Sequence, residues 1–160
     1  MNSPAILYSF RRCPYAIRAR MTLSVAEIEY EHREVLLKDK PVELLQASAK
    51  ATVPVLVLGG DTSERTPPEI LDESIDIMRW ALAKKDPEQW LEDSESQQKE
   101  IERWVEDFES AFKPNLDAYK YGNNRTEEAE QLRVDARETC ESVLQGLNCL
   151  LYTSPSPRDS

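Results

Sequence analysis

Short blocks of apolar residues separated by polar segments fill the first half of the chain, and a helical period takes over in the second half. Apolar or alternating runs of five to seven residues are typical of strands, and proline or capping residues ahead of longer amphipathic runs indicate helix starts. In the first helix, Ala16, Ile17, Met21 and Leu23 are expected on the buried face. The predicted strands are 6–10, 29–35, 52–58 and 70–71, and the predicted helices begin at 14, 42 and 75.

That order, βαβαββα, predicts an α/β domain on a small mixed sheet over residues 1–83. A polar linker at 84–90 follows. Beyond it the pattern is helical only, so we expect an incomplete all-α domain at 91–148, with a last helix from about Glu127 to Leu147. The spacing of Trp104, Phe108 and Phe112 favours core packing over a substrate-binding cluster.

The last segment, 149–160, differs in character from everything before it. The run 149–159 equals, codon by codon, a one-frame translation of a widely used transposase sequencing adapter. We therefore expect the biological sequence to stop near Asn148, with later helices missing and no packed structure in the tail. The same argument removes Cys149 from the chemistry, and it predicts that 91–148 is less stable than 4–83 because unpartnered helices expose apolar side chains.

Charge is distributed unevenly over the 160 residues, whose net charge is -10. Residues 1–50 carry 8 Lys and Arg against 6 Asp and Glu, and the remainder carries 12 against 24. An acidic bulk disfavours nucleic acid as a partner, whereas the basic excess near Cys13 suits a small anionic ligand. With no signal peptide and no apolar run near the roughly 20 residues that span a bilayer, we expect a cytoplasmic protein without membrane attachment.

The three cysteines and one histidine also narrow the chemistry. An odd number of widely spaced cysteines fits reduced thiols, and a metal site of Cys and His ligands is not expected. Cys13 stands between a predicted strand and a helix opened by Pro14, where free N–H groups and the helix dipole stabilise a thiolate. A small buried cysteine that only packs a strand end is the alternative. Ala16 stands where a dithiol enzyme carries its second cysteine, so a thiol from outside would have to resolve a mixed disulfide.

Four runs, at 12–16, 37–41, 53–56 and 72–74, carry a family resemblance: Arg-Cys-Pro-Tyr-Ala, Leu-Lys-Asp-Lys-Pro, Val-Pro-Val-Leu and Asp-Glu-Ser. In order and spacing they resemble the thioredoxin-like N-terminal domain of the glutathione S-transferase family. The resemblance covers 4–83 and is greatest to cysteine-type members, the omega class and glutaredoxin-like proteins. Residues 91–148 resemble the first half of the family's helical C-terminal domain.

The resemblance implies a role for each matching residue. Cys13 would be the nucleophile beside the glutathione sulfur, with Pro14 and Tyr15 supporting it. Pro54 would be a cis proline, and Val53 would pair its backbone with the cysteinyl residue of glutathione. Without the resemblance, Pro54 could equally bar a strand edge.

Three further residues would hold the ends of glutathione. Ser74, at a helix N-terminus, would bind the γ-glutamyl carboxylate. Glu73 would pair with the γ-glutamyl ammonium and Lys40 with the glycyl carboxylate. Ser74 is expected to cap the helix whether or not it binds a ligand, and the alternative for Glu73 and Lys40 is that they are solvated charges.

The expected function is that of a glutathione-dependent thiol transferase or reductase, with glutathione as co-substrate and no metal. A non-catalytic interaction module and conjugation of glutathione to small electrophiles remain alternatives. The second substrate is unknown, and a homodimer is left open.

Overall fold

A computed structural model describes residues 5–59, 68–91, 95–122 and 126–153, which fall into two compact units within 1–91 and 92–160. The first unit has the predicted element order, βαβαββα. The thioredoxin-like α/β fold is therefore confirmed. Its elements are β1 (Ala5–Ser9), α1 (Pro14–Val25), β2 (Tyr30–Glu34), α2 (Val42–Ala47), β3 (Val55–Leu58), β4 (Glu69–Leu71) and α3 (Ser74–Lys84).

The four strands form one mixed sheet in the order β2-β1-β3-β4. Strand β1 runs parallel to β2 and antiparallel to β3, and β3 runs antiparallel to β4. The polar strand β2 lies at the edge of the sheet, as its sequence indicates, because an edge strand buries less of its surface. Strand β3 begins at Val55 rather than at the predicted Thr52, since Pro54 has no N–H for the ladder.

Both faces of the sheet are covered by helices. Leu7 of β1 lies opposite Leu56 of β3, and on this face they pack with residues of α1 and α3. Successive side chains of a strand point to opposite faces, so Tyr8 and its partner Val55 pack on the other side, with Leu44 of α2. The sheet thus fixes the ends of α1 and α3 at the carboxyl end of β1, where Cys13 follows.

The predicted buried face of α1 is wrong in two positions. Ala16 and Leu23 are buried, but Ile17 is 39% exposed and Met21 is 56% exposed. The buried side chains are instead Ala16, Ala19, Thr22 and Leu23. Small side chains at spacings of three let α1 approach the sheet and α3 closely, and Ile17 and Met21 lie outside that stripe.

The second unit is helical throughout its described residues, and its elements are α4 (Glu95–Asp107), a π-helical segment (Phe108–Phe112), α5 (Lys113–Tyr121) and α6 (Glu127–Thr153). Trp104, Phe108 and Phe112 are half-buried, and the two Phe rings stack with centroids 4.7 Å apart. These aromatics pack within the unit, as their spacing predicts. Among residues 96–122, 126–149 and 152, only Ala136 and Cys140 are buried.

Helix α6 continues past its predicted end at Leu147 to Thr153. Cys149 and Tyr152 are exposed, and the prediction that the tail after Asn148 has no packed structure stays a prediction. Residues 60–67, which the sequence predicts as a turn and a polar loop after β3, lie outside the described residues. No helix in the described ranges is both long and apolar enough to cross a bilayer.

Candidate functional site

Cys13 lies between β1 and α1, immediately before the helix begins. It is the N-cap residue of α1, with Pro14 as the first helical residue, and it is half-buried. Its N–H donates to the Phe10 carbonyl at 3.0 Å, and its carbonyl accepts from the Ile17 N–H at 2.9 Å. Cys13 therefore stands at the N-terminus of α1, where the positive end of the helix dipole favours an anion.

The structure brings Cys13 together with Val53, although they are 40 residues apart. The Cys13 thiol donates to the Val53 carbonyl oxygen at 3.6 Å. The Val53–Pro54 peptide bond is cis, as the resemblance implied, and Pro54 is buried. Ala16 of α1 is fully buried. A methyl group therefore fills the position where a dithiol enzyme has its second thiol.

A guanidinium group holds the loop that ends at Cys13. Arg20 of α1 donates from Nη1 to the Ser9 hydroxyl and to the Phe10 carbonyl, the latter at 3.4 Å. Its Nη2 donates to the Arg11 carbonyl at 3.2 Å. On the other side the Arg11 N–H donates to the Glu34 carboxylate at 2.8 Å, and this bond lowers the pKa of Glu34. The loop is therefore fixed from both α1 and β2.

Ser74 does not cap α3, which corrects the expectation from its sequence. Glu73 is the N-cap residue and makes no side-chain capping bond, and Ser74 is the first helical residue. The Ser74 hydroxyl, on a side chain only 3% exposed, accepts from Arg18 Nε at 3.0 Å and from Arg18 Nη2 at 2.7 Å. A buried hydroxyl is thus linked across the fold from α3 to α1.

Acidic residues ahead of α3 are paired with Lys50. The Lys50 ammonium donates to the Glu73 carboxylate and lies 3.7 Å from an oxygen of Asp72. Glu73 is the main cause of the raised pKa of Lys50. Asp72 also accepts from the Ser48 hydroxyl at 2.8 Å. Lys50 and Glu73 are both more than half exposed, so a cationic ligand could replace the lysine at little cost.

The remaining candidates are placed less tightly. Lys40 is half-buried between the turn that bridges Leu36 and Asp39 and the Pro41 cap of α2. The centroid of the Tyr15 ring lies 4.9 Å from the Arg18 guanidinium carbon. In the part of the chain that the structure describes, no hydrogen bond or ion pair joins Lys40 to Cys13 or to Ser74.

Two cysteines lie outside this site. Cys140 is 8% exposed and its Sγ lies 3.6 Å from the Phe112 carbonyl oxygen, so it packs within the second unit. Burial raises its pKa. Across the part of the chain that the structure describes, no cluster of three or more His, Cys, Asp or Glu residues could hold a metal ion.

Three residues outside the four motifs also take part in the site: Arg18, Arg20 and Lys50. Arg18 and Arg20 lie on the same helix as Cys13 and are half-buried. Charged residues near an apolar helix face are a signal that they find partners inside the fold. Lys50 carries no such signal, because its contact with Glu73 depends on how two loops meet.

The first unit is thus a thioredoxin-like domain with one cysteine at the start of its first helix and a cis-proline near it. The sequence profile of the family described as "Glutathione S-transferase, N-terminal domain" matches residues 7–90. The chain therefore belongs to the glutathione S-transferase family.

The chain is also similar to individual proteins in sequence or in fold. The chain is 36% identical over 74 residues to pyrimidodiazepine synthase from Drosophila melanogaster, covering 46% of this chain and 29% of that protein. Glutathione transferase Omega 2C from Trametes versicolor is 19% identical with a TM-score of 0.73, covering 95% of this chain and 63% of that one. A glutathione transferase family member from Pseudomonas fluorescens with two glutathione bound is 18% identical with a TM-score of 0.73, covering 92% and 66%. The chain thus spans only part of these relatives.

Proposed function

We propose that the protein is a glutathione-dependent thiol transferase or reductase in which Cys13 forms a mixed disulfide with glutathione. The observation that carries the proposal is a half-buried Cys13 at the N-terminus of α1, 3.6 Å from the Val53 carbonyl oxygen and without a second thiol at position 16. A one-thiol site of this kind favours exchange with an external thiol.

The proposed reaction is a pair of thiol–disulfide exchanges. The Cys13 thiolate attacks the glutathionyl sulfur of a glutathionylated substrate, the substrate leaves as a thiolate, and a Cys13–glutathione disulfide remains. A reduced glutathione thiolate then attacks the glutathionyl sulfur of that disulfide. Oxidised glutathione departs and Cys13 is restored as a thiolate. The sum of the two steps consumes one reduced glutathione, and the other half of the oxidised glutathione is the glutathionyl group taken from the substrate.

The other site residues supply the cradle in this proposal. Val53 pairs its backbone with the cysteinyl residue of glutathione beside Pro54. Ser74 and the first turn of α3 receive the γ-glutamyl carboxylate, because a helix N-terminus favours an anion. Glu73 exchanges Lys50 for the γ-glutamyl ammonium, and Lys40 meets the glycyl carboxylate. The name of the fly relative, a synthase, favours an enzyme over a non-catalytic interaction module.

Mass spectrometry after treatment with oxidised glutathione tests the proposal. Because Cys149 is also exposed, it is replaced by serine in every protein used. The Cys149→Ser chain is expected to gain one glutathionyl group, mapped to Cys13 and removed by reduced glutathione. A Cys13→Ser, Cys149→Ser chain is the matched control and is expected to gain none.

An unmodified Cys13 in a folded chain would overturn the proposal. A steady-state assay with reduced glutathione and a small disulfide then separates turnover from binding alone. Conjugation is compared in parallel with a chloronitrobenzene, and a faster conjugation than disulfide reduction would favour the alternative transferase chemistry. Gel filtration of the same samples tests whether the chain forms a homodimer.

A further inference from the structure

The contact between Arg18 and Ser74 is the best-defined polar link between α1 and α3. Two donors of one guanidinium, Nε at 3.0 Å and Nη2 at 2.7 Å, converge on the Ser74 hydroxyl oxygen. The two residues are 56 positions apart in the chain, and Ser74 is 3% exposed. The Arg18 guanidinium is itself held over the Tyr15 ring. Both partners are therefore fixed in place.

This geometry decides which way the hydroxyl proton points. A serine hydroxyl has one proton to donate and two lone pairs that accept. Arg18 occupies the accepting side with two N–H groups, and its positive charge repels the hydroxyl proton. The proton must therefore point away from the guanidinium, and the hydroxyl is left as a donor.

The environment of that donor favours an anion. Ser74 is the first residue of α3, an 11-residue helix, so the free N–H groups of the first turn lie beside its hydroxyl. A serine without such a partner commonly turns its proton to a nearby backbone carbonyl. Arg18 removes that option because it holds the oxygen by its lone pairs.

We infer that Arg18 is a positioning residue that keeps the Ser74 hydroxyl oriented as a donor to a ligand carboxylate. The inference rests on the proposed function, in which that carboxylate is the α-carboxylate of the γ-glutamyl residue of glutathione. Arg18 acts through Ser74 and does not itself need to touch the ligand.

Calorimetric titration of the full chain with two ligands tests the inference. One ligand is reduced glutathione, and the other is the analogue with a 4-aminobutyryl group in place of γ-glutamyl, which lacks only the α-carboxylate. Arg18→Met is expected to weaken glutathione binding about tenfold, because the Ser74 hydroxyl is no longer held in orientation and its hydrogen bond to the charged carboxylate is lost. Its affinity for the analogue is expected to equal that of the wild type.

Further variants separate positioning from a purely structural role. Ser74→Ala is expected to weaken glutathione binding as Arg18→Met does, and the double variant is expected to lose no more than either single one. Arg33→Met is the matched control, because Arg33 also donates to a hydroxyl, that of Tyr8 at 3.1 Å, on the sheet edge. Its affinity for both ligands is expected to be unchanged.

The outcomes are distinct. Equal weakening for glutathione and the analogue in a folded Arg18→Met chain, or no weakening for either, overturns the inference. Should Arg18→Met fail to fold, Arg18→Lys serves, because a single ammonium keeps the charge but supplies no two-pronged contact; the same selective loss is then expected. A wild-type chain that binds neither ligand would refute the proposed function itself, and the inference with it.

Discussion

Replacing Arg20 by methionine should loosen the loop that carries Cys13. The aliphatic part of the side chain is kept, and the three hydrogen bonds to Ser9, Phe10 and Arg11 are lost. The Ser9 hydroxyl is fully buried, so the loss of its donor should cost about 1–3 kcal/mol. The two carbonyls lie nearer to solvent, where water replaces much of what they lose, and we expect a total of about 2 kcal/mol.

Amide hydrogen exchange measures that loss locally. The Cys13 N–H is bonded to the Phe10 carbonyl within the held loop, so about 2 kcal/mol should appear there as exchange roughly thirtyfold faster. Uptake of glutathione from oxidised glutathione at Cys13 should slow in the same variant, since the thiol no longer keeps its place at the helix terminus. Arg33→Met, which removes an arginine on the sheet edge, is the control and should change neither quantity.

An unchanged exchange rate at the Cys13 amide in the folded Arg20→Met chain would refute this account of the loop. Faster exchange with an unchanged rate of glutathione uptake would retain the structural part and refute its link to the thiol. The exchange rate in Arg20→Lys should lie between those of the native chain and Arg20→Met, because one ammonium can satisfy one of the three acceptors but not all of them.

Three further outcomes follow from single contacts. Lys50→Met should tighten glutathione binding up to about fivefold in a titration, because it frees the Glu73 carboxylate from an exposed ion pair of modest strength; weaker binding would contradict this. Glu34 has a pKa lowered in the fold below its usual 4.5, chiefly by the Arg11 N–H, so its stabilisation is complete above that value and is lost as the pH falls through the folded pKa. Glu34→Gln should then remove part of the acid sensitivity of thermal unfolding, and parallel pH profiles for both chains would argue against it. In the native chain Cys140, buried and with a raised pKa, should resist alkylation at neutral pH while Cys13 reacts, which peptide mapping can compare directly.

The order of elements in the first unit followed from the sequence because strands and helices there bury distinct faces. Leu7 and Leu56 lie in apolar runs of strand length, and Pro14 and Pro41 mark helix starts that local chemistry alone determines. The placement of Cys13 at a helix N-terminus was equally local. Such features depend on a few neighbouring residues and are legible without tertiary knowledge.

The errors lie where packing partners decide. Ile17 and Met21 are as apolar as Leu23, but only the narrow stripe through Ala16 and Ala19 fits against the sheet and α3. The hydroxyl of Ser74 looked like a helix cap, and only its distant partner Arg18 shows that it serves another purpose. Contacts of this length, 56 positions in the case of Ser74, leave no periodic trace in a single sequence.

The second unit shows the same limit. Helical spacing predicted its helices, but the π-helical segment at Phe108–Phe112 and the continuation of α6 to Thr153 were not predicted. Helix propensity is nearly indifferent to both features, since a wider turn and a longer terminus use the same residue types.

The π-helical segment determines how α5 is rotated relative to α4. Trp104, Phe108, Phe112 and Leu116 recur every four residues and are all half-buried, yet in an unbroken α-helix such a spacing drifts by about 40° per step. The wider π turn corrects that drift, because it holds about one residue more than an α turn. Its effect is that of one residue inserted into an α-helix without forming a loop. Deleting the exposed Ser110 should restore plain α-helix and turn α5 by about 100° relative to α4. One half of this row of four side chains would then face away from α6. A single residue therefore sets the rotation of α5 relative to α4.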